Sequence, residues 1–216
     1  MKPEVIEAES FRIIESEFEE RTGFSIESFS PAQFAVIRRV IHATGDFAFA
    51  QNLTFHPQAI NTAIAAIRAG KRIVTDVQMV AVGISANLLS KWGGEVQCLI
   101  AAPEVAAKAS RDGKTRSEIA ITQALAEKAG IIAIGNAPTA LLAAMEFQDR
   151  ATAGGKPGVD LIIGVPVGFV NAAESKDLLA EKKYPFITTL GRKGGSTVAA
   201  AIINALIRQA AARDDD

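Results

Sequence analysis

Five short apolar runs constrain this chain more than any other feature. They cover residues 72–75, 96–101, 130–134, 160–165 and 186–190. Each is rich in Ile, Val, Leu or Ala and is bounded by Gly, Pro, Asn or Asp, which marks it as a buried strand. Helical patterns fall between them, at 103–110 with 116–128, at 139–149 and at 171–180, and a last one runs over 196–211. A strand that is apolar throughout must be covered on both faces, and strand–helix alternation makes the sheet parallel. The pattern predicts an α/β fold: three-layer and Rossmann-like, with a mainly parallel five-stranded sheet and helices on both faces. The first seventy residues read as a helical segment, with helix starts near Ser10, Pro31 and Pro57, that flanks or lids the sheet. The length of 216 residues suffices for one domain with a real core, and no Pro/Gly/Ser linker divides it.

Ligands of such sheets bind beyond the carboxyl ends of the strands. The polar groups of this chain collect there. Thr75-Asp76 follows the first run, and the 111–117 segment with Lys114, Arg116 and Ser117 follows the second. Gly135-Asn136 follows the third run, the 166–171 segment ending in Asn171 the fourth, and Gly191-Arg192-Lys193-Gly194-Gly195-Ser196 the fifth. Each loop feeds a helix N-terminus, so together they form an anion-friendly cleft. The last loop lacks Walker A spacing, and no first strand carries Gly-x-Gly-x-x-Gly. Arg192 and Lys193 suit carboxylates, although the loop also reads as a plain turn capped by Ser196. Arg116 reads as a surface arginine or as a ligand contact. Asn136 reads as a cap for the helix after Pro138, and Asp76 as a cap for the helix over 77–83; neither role excludes a ligand. Met79 and Val80 read as core residues or as the wall of a pocket for a large apolar ligand.

One of the two histidines, His42, ends an apolar helical run. Phe34, Ile37, Val40 and Ile41 recur at helical spacing, and Gly45 stops the helix. A histidine held where a packed helix meets a loop has a fixed ring that still reaches a ligand. Histidine also exchanges a proton near neutral pH, where few other side chains do. A helix-end histidine that is merely hydrogen-bonded fits the same segment, and both readings stand at this point. His56, just before Pro57, reads as a residue at a helix start.

Composition removes several classes. The net charge is -1 and aromatics make up only 6%, so there is neither a basic field nor a stacking platform for nucleic acid. Two His and one Cys do not make a zinc site. Cys98 lies in the second apolar run and reads as a buried strand residue; a single cysteine forms no intrachain disulfide, which fits a cytoplasmic protein. The N-terminus lacks the apolar core of a signal peptide, and the most apolar helical stretch, 198–207, is too short to cross a membrane. The tail 213–216 reads as a frayed end.

These segments together resemble one family, the precorrin-8X methylmutases of cobalamin biosynthesis. The resemblance rests on Ser10-Phe11-Arg12-Ile13-Ile14, Val40-Ile41-His42-Ala43-Thr44-Gly45-Asp46-Phe47, and Thr75-Asp76-Val77-Gln78-Met79 through Ile84. It continues through Thr115-Arg116-Ser117, Gly135-Asn136-Ala137-Pro138-Thr139, the 164–176 segment around Asn171, and the Gly191-to-Ser196 loop. It implies a homodimer with a corrinoid cleft near the subunit interface. It further implies a 1,5-sigmatropic shift that moves a methyl group from C-11 to C-12 of the macrocycle, giving hydrogenobyrinate or its cobalt form. No separate methyl donor, redox cofactor or catalytic metal is then required. His42 matches the family's catalytic histidine, a general acid toward a ring nitrogen. Arg116, Arg192 and Lys193 would hold the substrate's carboxylates. Ser10, Thr44, Asp76, Ser85, Asn136 and Asn171 are further candidate substrate contacts. A non-catalytic corrinoid carrier and a nucleotide-dependent α/β enzyme are the alternatives; the intact His42 motif favours catalysis over carriage.

Overall fold

A computed structural model describes residues 3–126 and 129–212. The tail 213–216 and the end of the helix expected to reach residue 128 lie outside the described residues. The chain opens with helix α1 (Pro3–Thr22), then α2 (Pro31–Thr44), α3 (Phe49–Asn52), strand β1 (Leu53–Phe55) and α4 (Ala59–Arg68). Strand β2 (Ile73–Thr75) leads through α5 (Gln78–Gly83) and α6 (Ala86–Leu89) to β3 (Val96–Gln97). Two helices follow, α7 (Pro103–Asp112) and α8 (Arg116–Leu125), and then β4 (Ile131–Ile134) with α9 (Pro138–Ala153). Strand β5 (Leu161–Gly164) with α10 (Ala172–Ala180) and β6 (Phe186–Thr189) with α11 (Ser196–Ala212) complete the described chain.

Among the described residues the sheet has six strands in the order β1-β6-β5-β4-β2-β3. Five are mutually parallel, as the apolar runs predict. The sixth, β1, was not foreseen. It pairs antiparallel with β6, in the register Leu53↔Thr189 to Phe55↔Ile187. Its three residues are too few to show alternation and lie within a stretch that reads as helical. The second run is also shorter than expected. Only Val96–Gln97 forms a strand, and Cys98 is a half-buried residue just beyond it. The first helix starts by Pro3 rather than near Ser10, which lies in its interior.

Side chains alternate cleanly across the central strands, because successive Cβ atoms point to opposite faces. Ile131, Ala133, Leu161, Ile163 and Ile187 pack against α2, α4 and α11 on one face. Val74, Ile132, Ile134, Ile162 and Phe186 pack against α8, α9 and α10 on the other. Each buried Ile or Leu contributes about 1.5–3 kcal/mol, so both helical layers are firmly held.

Helix α2 matters most for the site. Ser30 and Gln33 form a reciprocal capping box at its start, with Pro31 in its first turn. Gly45 ends it in the left-handed conformation, φ 67°, and donates to the Ile41 carbonyl at 2.7 Å. A side chain at residue 45 would be strained there. The buried face of α2, Phe34, Ile37, Val40 and Ile41, is the one its spacing predicts.

Candidate active site

His42 occupies the last turn of α2 with its side chain exposed. Its ring meets Phe11 of α1 edge-on, centroids 5.4 Å apart. The Arg38 and Arg39 guanidinium groups sit 4.2 and 5.2 Å from the same Phe11 ring. The histidine is therefore braced by an aromatic edge beside two cations. It opens onto a cavity of about 250 Å³ formed by Arg39, Met79, Gly83, Ser196, Thr197 and Asn204 with it. Met79 is 69% exposed and contributes to this wall, whereas its neighbour Val80 is core. Asn204 of α11 fixes the far side. Its amide donates to the Gly83 carbonyl and its oxygen accepts from the Ser85 N–H, both at 2.8 Å. Ser85 thus reaches the cavity region through its main chain.

The turn after His42 is tied to the loop after β6. Thr44 donates to the Val40 carbonyl at 2.8 Å and accepts from the Asp46 N–H at 3.3 Å. The Asp46 carboxylate accepts from the Ala48 N–H at 2.9 Å and from the Lys193 ammonium at 2.5 Å. The Lys193 side chain holds the Asp46 carboxyl below the usual carboxylate range, with the Ala48 N–H adding to the effect. The structure therefore brings His42, Thr44 and Lys193 together, with Asp46 as the link. Sequence reading quoted Asp46 within a motif but assigned it nothing.

The loops after β5 and β6 also meet. The Gly168 N–H donates to the Arg192 carbonyl, and the Arg192 guanidinium lies 5.2 Å from the centre of the Phe169 ring. Phe169 is 83% and Val170 78% exposed, an apolar rim beside the cation. Asn171 follows with φ 58°, and among the described residues it alone outside glycine has a positive φ. Its exposed side chain makes no cap for α10. Gly194 has no room for a Cβ, which would lie 2.3 Å from the Val165 carbonyl oxygen. This close approach seats the β6–α11 loop on the end of β5.

Asp76 departs from the expected cap of its own helix. Helix α5 starts after Val77 without a side-chain cap. The Asp76 carboxylate instead accepts from the Gly135, Asn136 and Ala137 N–H groups at 2.8–2.9 Å. It is fully buried. Burial pushes its carboxyl upward, against the pull of those three donors. Asp76 holds the β4–α9 loop in place from beneath, and its acceptor atoms face protein donors. Asn136 is exposed and does not cap α9, whose N-cap is Ala137.

Two candidates stand apart from His42. Ser10 donates to the Ile6 carbonyl at 2.8 Å, a bond internal to α1, one residue from Phe11. Arg116 opens α8 and is exposed. The Thr115 and Thr139 hydroxyls, 2.8 Å apart, place it beside the β4–α9 loop. From Arg192 after β6 to that loop is two strand spacings, about 10 Å. The polar groups therefore line an edge rather than a single pocket.

Sequence reading also missed Lys176. Ala172, Ser175, Lys176 and Leu179 share the buried face of α10. A lysine at helical spacing among small and apolar residues was the available signal.

Comparison with known proteins adds a family and a fold. Residues 5–209 match the family model CbiC, precorrin-8X methylmutase. The chain is 45% identical over 207 residues to cobalt-precorrin-8 methylmutase of Priestia megaterium, covering 95% of this chain and 88% of that one. It is 40% identical over 202 residues to precorrin-8X methylmutase of a Sinorhizobium species, covering 92% and 91%. A solved structure of precorrin-8X methyl mutase from Thermus thermophilus superposes with a TM-score of 0.84 at 42% identity, covering 97% of each chain.

Proposed function

The chain belongs to the precorrin-8X methylmutase family, and on that premise we propose that it is an isomerase of cobalamin biosynthesis in which His42 is the general acid. The reaction is the C-11 to C-12 methyl migration of precorrin-8X or cobalt-precorrin-8. The observation that carries the assignment of His42 is its place: an exposed ring, braced by Phe11, at a cavity between α2, α5 and α11. In a 1,5-sigmatropic shift the methyl carbon leaves C-11 as it bonds to C-12, and the ring π electrons rearrange in the same step. No external nucleophile enters. The protein's tasks are then to orient the macrocycle and to set its protonation. His42 would donate a proton to a nitrogen of ring C, drawing electron density from the migrating system. Proton transfer by a positioned group is worth about 10²–10⁴-fold, and a fixed geometry adds to that.

The substrate's acetate and propionate groups need cations around an apolar face. Arg192, Lys193 and Arg116 supply cations along the carboxyl edge, which exposes Met79, Phe169 and Val170, whereas Arg38 and Arg39 are paired with Glu15 and Glu7. Of the neutral candidates, Asn171 points outward from a strained backbone, Thr44 braces the His42 turn, and Asn136 lies over the Asp76 bracket. A cavity of about 250 Å³ is small for a macrocycle, since sites for even drug-sized ligands run to about 300–1,000 Å³. We therefore assign a homodimer in which a second copy covers part of the apolar edge. Among the described residues no helix is long and apolar enough to cross a membrane, and the proposed location is the cytoplasm.

The test is anaerobic incubation with precorrin-8X and, separately, its cobalt form, followed by absorbance and mass spectrometry. Conversion of the chromophore at unchanged mass, with the rate cut about 10²–10⁴-fold in His42→Ala, is the expected result. Tight binding of both forms without conversion would overturn catalysis in favour of carriage.

A further inference from the structure

Lys176 is fully buried, yet its ammonium bonds two neutral oxygens. It donates to the Lys193 carbonyl at 2.6 Å and to the Thr189 hydroxyl at 3.4 Å. Thr189 in turn donates to the same carbonyl at 2.9 Å. The Lys193 carbonyl is thus held from beneath by two donors, while the Lys193 ammonium reaches across to Asp46 at 2.5 Å. Asp46 is anchored to the turn that follows His42 through the Thr44 hydroxyl and the Ala48 N–H. One residue, Lys193, links α10 and β6 to the His42 turn.

Stability does not account for a lysine here. Burying an ammonium costs several kcal/mol, and an apolar side chain of similar volume is often as stable or more so. Burial lowers Lys176 to about 8, which registers that cost. Leucine or methionine would fill the space between Ala172 and Leu179 without it. What an apolar side chain would not do is donate to the Lys193 carbonyl and so orient residue 193 itself. Main-chain bonds hold the loop elsewhere: Leu190 to Asn52 and Gly195 to Val165 at 2.8 Å, and the Gly168 N–H to the Arg192 carbonyl at 3.3 Å.

We propose that Lys176 is a positioning residue for the reaction, its buried ammonium clamping the Lys193 main chain so that the Lys193 side chain stands beside Asp46 and the His42 turn. This rests on the reading of the site as a corrinoid methylmutase in which Lys193 meets a substrate carboxylate. Lys176 touches no substrate and acts through Lys193.

The experiment is steady-state kinetics on the corrinoid substrate with Lys176→Met, Lys193→Met and the double variant, each paired with a melting curve. Lys193→Met keeps the carbonyl but loses the ammonium. Loss of one charge-assisted contact predicts a KM about tenfold higher in either single variant, with kcat changed less than about threefold. The double variant should match Lys193→Met alone, because the two side chains act as a unit. The melting temperature of Lys176→Met should hold or rise. Should that variant not fold, Thr189→Val removes the second donor to the same carbonyl and should raise KM by about threefold, as expected for one neutral hydrogen bond. An unchanged KM with a lowered melting temperature, KM effects that multiply in the double variant, or no effect of Thr189→Val would each overturn the proposal. A wild-type protein that converts no corrinoid would instead fail the underlying reading.

Discussion

At the amino ends of the strands, Lys71 pairs with Asp160 at 2.9 Å and Arg72 with Glu95 at 2.8 Å, around a cleft of about 580 Å³. At the carboxyl ends the cavity beside His42 is less than half that size, about 250 Å³. Cavity volume alone would favour the amino end, not the end at which the site is proposed. What separates the two is the use of charge. At the amino end, cations and carboxylates neutralise one another near the surface. At the carboxyl end one such pair, Lys193–Asp46, stands beside two buried charges: Asp76, which accepts from loop N–H groups, and Lys176, which donates to the Lys193 carbonyl and the Thr189 hydroxyl. Those bonds leave Arg192, Phe169 and Asn171 facing outward. The carboxyl edge also carries the strained Asn171 and the close approach of Gly194. Buried charge committed to loop geometry, which organises backbone at some cost in stability, is the feature that supports the proposed site at the carboxyl end.

The contrast can be broken at several points. His42→Ala should give the largest effect, the loss of about 10²–10⁴-fold in turnover already stated, with an unchanged melting temperature since the ring is exposed. A comparable loss of folding would recast His42 as structural. Asp76→Asn comes next. One carboxylate oxygen becomes an NH₂ group facing backbone donors, costing about 1–3 kcal/mol. Thermal unfolding should move down by several degrees, and turnover should fall with it as the β4–α9 loop loosens. Retained melting behaviour would show that the bracket is dispensable.

A smaller effect separates the buried cation by pH. Lys176 titrates at about 8 when folded, against an ordinary 10.5. Between those values the unfolded chain holds a proton that the folded chain has lost. Wild-type stability therefore rises with pH across that window. Measured against Lys176→Met, the wild type should gain up to a few degrees between these pH values and nothing below about pH 7. A difference that stays flat would mean that the ammonium is hydrated. The smallest effect belongs to the amino end: Lys71→Met should change stability by at most about 1 kcal/mol and leave kcat/KM as it was. A fall in kcat/KM would erase the distinction between the two ends.

Much of the carboxyl edge was legible in sequence, because the signals there are local. The five apolar runs fixed the parallel strands, Gly45 fixed the end of α2, and the loops followed from strand order. Asp76 and Lys193 were picked out as polar residues, but their partners lie 59 and 147 residues away, at Gly135 and Asp46. A carboxylate that binds a substrate and one that binds three N–H groups look alike until those groups are placed. Lys176 is hidden for the opposite reason: a lysine reads as surface, although its spacing with Ala172 and Leu179 matches the buried face of α10. Strand β1 had no local signal, since its register comes entirely from β6.

That same pairing sets an order of assembly. Leu53 meets Thr189 in the antiparallel ladder, and α2 and α4 pack on α11. During synthesis His42 and its Phe11 brace leave the ribosome early, but the α11 wall of the cavity is among the last parts to be made. Closing a loop of that length is slow and leaves the apolar faces of α2 and α4 uncovered meanwhile. A nascent chain stalled before β6 would carry the histidine with the Ser196, Thr197 and Asn204 wall of its cavity missing. Chaperone demand should therefore peak late in translation and drop once α11 docks.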